Sequence, residues 1–83
     1  MAFVNKSDVK RIMKMASTLY EVQERLQEML DAYQEKLEAR SDKWMESEAG
    51  EQAQEFVDGL EQAAGDAEAF AVQLEDIVSN FEA

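Results

Sequence analysis

The stretch AQEFVDGLEQAAGDAEAFAVQLEDIVSNF, residues 53–81, decides the fold. Ala53, Phe56, Leu60, Ala63, Ala67, Phe70, Leu74, Ile77 and Phe81 recur along it at alternating steps of three and four. That spacing keeps one row of side chains on one face of an α-helix, and over about four heptads it makes a helix–helix seam. Val57, Ala64, Ala71 and Val78 form a neighbouring row, so the apolar face is wide enough to touch two partners. The middle of the seam is small (Gly59, Ala63, Ala64, Ala67), which admits a close helix or bulky side chains such as Met29, Leu26 and Leu19. The order of bulky and small residues favours antiparallel pairing.

Upstream, Val9, Ile12, Met15, Ala16, Leu19, Val22, Leu26, Met29, Leu30, Tyr33 and Leu37 draw a second stripe at helical spacing. Ser7 is the expected N-cap, with Asp8 in the favourable first turn. Glu21 precedes Arg25 by four residues, the better orientation for an ion pair on a helix. Between the stripes, residues 40–50 hold two candidate caps, Ser41 and Ser47, with room for a short helical turn between them. The expectation is one all-α domain over residues 1–83: a helix over about 7–39, a joint over about 40–50 and a helix over about 50–81. Two equal arms of about 45–50 Å with a short connection read as an antiparallel hairpin. A lone hairpin covers one face of each helix, so the double-width row predicts a homodimeric four-helix bundle.

Composition narrows the chemistry. The chain has no cysteine and no histidine, which excludes disulfides, thiolate metal sites and the Glu-x-x-His pairs of di-metal bundles. Nothing resembles a nucleophile–base pair or a glycine-rich phosphate loop. No catalytic residue, metal or cofactor is expected. At 46% hydrophobic residues the chain is too apolar for a typical disordered segment. It lacks a run of about 18 apolar residues that would span a membrane, and its start lacks a secretory apolar core. The expected location is the cytoplasm.

Charge is distributed more tellingly than composition. The net charge is −11, yet the first 43 residues hold eight basic and eight acidic side chains. Every one of the eleven acids after Trp44 lacks a basic counterpart in that half. Glu61, Glu68, Glu75 and Glu82 fall at one heptad position, with Glu48, Glu51, Glu55, Asp58, Asp66 and Asp76 around them. Three or four helical residues span about 5–6 Å, a spacing that resembles phosphates along a nucleic-acid strand. A solvated face selected for solubility would intersperse both signs. Such a ridge repels nucleic acid and anionic membranes and attracts basic protein surfaces. Lys6, Lys10 and Lys14, spaced by four, with Arg11, are expected to be an ordinary solvated helix start. The candidate partner-binding residues are Trp44, Glu48, Glu51, Glu55, Asp58, Glu61, Glu68, Val72 and Glu75. Trp44 either packs over the hairpin end or anchors a partner. Val72, with Gly65 and Ala69, makes an apolar notch in the acidic face.

Residues 43–61, KWMESEAGEQAQEFVDGLE, resemble a stretch of small helical proteins from phages and mobile elements, through Lys43-Trp44, Glu46-Ser47, Gly50, Gln54, Val57-Asp58 and Leu60-Glu61. The resemblance covers under a quarter of the chain and assigns no residue a role. It implies the company of small acidic phage inhibitors, including DNA mimics that block nucleic-acid enzymes. A hairpin with tryptophan at its bend is also similar to WXG-type secreted hairpins, but Met45 and Glu46 follow Trp44, and the required glycine is missing.

The functional expectation is a non-enzymatic acidic protein that binds a basic surface of a partner protein, of which an inhibitor that mimics nucleic acid and blocks a nucleic-acid-binding protein is the concrete form. A structural role through helical self-association is the alternative. Direct nucleic-acid binding is not expected.

Overall fold

Two helices of nearly equal length lie side by side and antiparallel, joined through a single helical turn. The computed structural model describes residues 3–82, with side chains from 3 to 80. Helix α1 runs Lys6–Glu38, α2 is the short turn Asp42–Met45, and α3 runs Glu48–Glu82. The rod measures 66 × 16 × 15 Å, the outline of two packed helices and no more.

Each helix begins at a capping side chain. Asn5, with extended backbone, caps α1: the Asp8 amide donates to its Oδ1 at 2.8 Å. The start therefore lies upstream of the expected cap Ser7, which sits inside the first turn. Ser41 is extended and caps α2 by accepting from the Trp44 amide at 3.2 Å. Ser47 accepts from the Gly50 amide at 3.3 Å and its hydroxyl donates to the Trp44 carbonyl, joining the end of α2 to the start of α3. Both expected caps in the joint are thus used, and α3 begins slightly before residue 50. Among the described residues no backbone adopts a positive φ. The chain reverses direction through extended Ser41 and one tight helical turn.

Gly50 makes that turn possible. It is buried, and a Cβ there would collide with the Trp44 and Met45 carbonyls. Gly59 and Gly65 have no neighbour in the way.

The seam itself is narrow. On α3 the row facing α1 is Val57, Leu60, Ala64, Ala67, Ala71, Leu74 and Val78. On α1 the facing row is Ile12, Ala16, Leu19, Gln23, Leu26, Leu30, Tyr33 and Leu37, and Leu30 is the large side chain fully buried among the described residues. Leu30, Val57 and Ala64 form a cluster flanked by Leu26, Tyr33, Leu37 and Leu60. Burying a leucine contributes about 1.5–3 kcal/mol; the alanines contribute less themselves but let the helices approach.

The row placed in the seam by sequence is therefore corrected. Phe56, Ala63, Phe70 and Ile77 are exposed, and the row expected to be their neighbour is the one in contact. Leu60, Ala67 and Leu74 belong to both. Phe81 lies outside the described side chains. The physical reason is size: alanines at 64 and 71 allow a close helix, whereas phenylalanines at 56 and 70 would hold the helices apart. Val22 is likewise displaced from the seam by Gln23.

Candidate functional site

Both helices carry an apolar row one position before the seam residues. On α1 it is Met15, Val22 and Met29; on α3 it is Phe56, Ala63, Phe70 and Ile77. An antiparallel pair is related by a pseudo-twofold axis through its flat face, so equivalent heptad positions emerge on the same side. Contacts bear this out. Tyr33 and Phe56 meet edge to face at 5.5 Å. Lys36, one heptad beyond Met29, lies 5.3 Å over the Tyr33 ring and lines a cleft of about 210 Å³ with Phe56, Arg40 and Trp44. A second cleft, about 550 Å³, opens at the other end between Met15, Leu19, Thr18 and Leu74. Of nine exposed large hydrophobics among the described residues, six (Met15, Val22, Met29, Phe56, Phe70, Ile77) fall in these rows, so the hairpin has one apolar face.

The acidic residues occupy the opposite face and the outer edge of α3. Nine acids of α3 have described side chains, and only Asp66 flanks the apolar row. Glu61, Glu68 and Glu75 line the far side. Glu48 and Glu51 sit in the first turn of α3, where the helix dipole favours negative charge. Glu55 and Asp58 are exposed, and the Asp58 carboxylate accepts from the Gln54 side-chain Nε2 at 3.0 Å. Glu82 lies outside the described side chains. Glu75 departs from the free ridge imagined from sequence: it is half-buried and accepts from the Tyr20 hydroxyl at 2.5 Å. That hydrogen bond, then burial, then the nearby charges of Glu75, Glu68 and Asp76, raise the Tyr20 pKa above 10.0.

Trp44 and Val72 are not brought together. Trp44 is half-buried at the bend, with the Arg40 guanidinium 4.6 Å over its ring. Val72 is exposed on the acidic side, about 24 residues, or roughly 36 Å, along α3 from its start at Glu48. The apolar face is the surface that sequence reasoning left undivided. Its signal was present in the doubled rows; what was missing was which row the partner helix takes.

The cations fall in three places, and Lys36, Arg40 and Lys43 are those near the bend. Lys6, Lys10 and Lys14 are exposed along the first turns of α1. Arg11 and Arg25 rim the apolar face on the α1 side. Among the described residues the ion pair is Arg11 with Asp8, at 3.9 Å and exposed, worth at most about 1 kcal/mol. No group of acids among the described residues is disposed to hold a metal ion, and no helix there is long and apolar enough to cross a membrane. Comparison with family models, curated proteins and solved structures yields no match.

Proposed function

We propose that this chain is a non-enzymatic binding protein whose acidic face docks on a basic surface of a partner protein, in the manner of a phage inhibitor that mimics nucleic acid. The observation that carries the reading is the segregation of charge: apart from Asp66, the acids of α3 with described side chains face away from the apolar rows, with no lysine or arginine among them. An unmixed negative face on a rod raises the local potential and attracts a cationic groove built for phosphates. Glu55, Asp58, Glu61 and Glu68 form the centre of this surface, with Glu48 and Glu51 towards the bend. Glu75 contributes through the charge left after its bond to Tyr20. The working unit is a homodimer, because the apolar face needs a cover.

The test is capture from host lysate at low and high salt, followed by elution with duplex DNA. Proteins bound through the acidic face leave as salt rises and are displaced by DNA. Reversing Glu55, Asp58, Glu61 and Glu68 to Lys preserves helicity and abolishes that capture. Full capture by the fourfold variant sinks the reading. A second reading, that self-assembly is the role itself, is favoured by the uncovered apolar face. It expects association that survives high salt and no DNA-displaceable partner.

A further inference from the structure

We infer that the apolar face is the interface with a second copy of this chain, and that the two hairpins stack with their bends at the same end, α1 of one protomer over α3 of its partner. This rests on the dimeric reading above and specifies its surface and orientation.

Area supports a cover of this size. The chain exposes 6703 Å², whereas a compact chain of 9.4 kDa exposes about 5,000 Å². The difference is that of an open rod, and its broad side, 66 × 16 Å, has room for the roughly 800 Å² per partner of a standard interface. The apolar face runs along both helices and is centred on Met15, Val22, Met29, Phe56, Phe70 and Ile77, a methionine- and aromatic-rich core of the kind interfaces use.

Charge selects the orientation. A twofold axis in the plane of the face allows two stacks. With bends at opposite ends, α1 lies on α1 and α3 on α3, so Arg25 meets an α1 edge whose acid, Asp8, is already paired with Arg11. With bends together, α1 lies on the partner's α3, and Arg25 meets the α3 edge that bears Asp66. The register follows from two direct contacts across the hairpin, Tyr33 with Phe56 and Tyr20 with Glu75, which bracket Lys36 opposite Phe56. Steps of seven in each direction set Met29 level with Ala63 and Val22 level with Phe70. In the stack Met29 then covers the partner's Ala63, large on small, Val22 meets the partner's Phe70, and Arg25 reaches the partner's Asp66. The acidic faces point outward on opposite sides of the dimer, one for each protomer.

The absence of cysteine makes the test clean. Met29→Cys and Ala63→Cys are prepared separately and oxidised alone and mixed. A disulfide-linked dimer in the mixture, and little in either variant alone, is the expected result. Self-crosslinking of Val22→Cys in high yield overturns the orientation, because it places α1 on α1, while the dimeric reading stands. A wild-type chain that stays monomeric by light scattering at high micromolar concentration overturns both. Charge exchange avoids dependence on a core substitution: Arg25→Glu and Asp66→Arg each raise the dimer Kd about fivefold, and the double variant restores it. Absence of rescue overturns the stack. The fourfold acid reversal leaves the Met29–Ala63 crosslink intact, so a lost partner and a lost dimer are read separately.

Discussion

The Tyr20 hydroxyl donates a 2.5 Å hydrogen bond to the Glu75 carboxylate, linking positions 55 residues apart across the hairpin. It pins the register of α1 on α3 from the acidic side, opposite the apolar face. The bond holds the Tyr20 pKa above its ordinary value of 10.0. The folded chain therefore keeps this proton when the unfolded chain releases it. The contribution is complete below pH 10.0 and is lost as pH rises through the folded value. Thermal melts across the alkaline range should show wild type losing stability faster than Tyr20→Phe. Parallel curves would show that the bond contributes nothing.

The bend makes a different prediction. Gly50→Ala places a methyl group against the Trp44 and Met45 carbonyls, and the backbone must shift to admit it. The expected cost is about 1–3 kcal/mol, with a change in the fluorescence of Trp44, the chain's single tryptophan. Gly59→Ala and Gly65→Ala meet no neighbour within 4 Å. In an exposed helix interior each should stabilise by about 0.5–1 kcal/mol. Chemical denaturation of the three variants reads opposite signs from one residue type.

The alanines of the seam set the distance between the helices. Ala71 is 0% exposed and faces α1. Ala71→Leu should cost about 1–3 kcal/mol by overpacking. Ala69→Leu, two residues earlier on an exposed side, should stay within about 0.5 kcal/mol. Equal melting temperatures for the two variants would contradict the helix phase described here.

Leu30 tests the core directly. It is 2% exposed and packs with Val57 and Ala64. Leu30→Ala should cost about 2–5 kcal/mol, measured by urea denaturation. In so thin a core that is a large share of the stability of the domain. A loss under about 1 kcal/mol would mean that the site collapses around the missing side chain.

Periodicity alone determined that the chain makes two long helices of equal length, because steps of three and four are incompatible with a strand and the chain contains no proline. The sequence also located the bend, since Ser41 and Ser47 can each satisfy the free amides of a new helix. Local spacing could not choose between the two apolar rows of α3. Both alternate by three and four, both contain Leu60, Ala67 and Leu74, and they differ by one residue, about 100° around the helix. Only the second helix decides. Close packing takes the row with Ala64 and Ala71 and leaves Phe56 and Phe70 on the open face. The acidic side of α3 follows from the same choice: once the row with Ala64 and Ala71 is inside, Glu61, Glu68 and Glu75 must emerge opposite the phenylalanines.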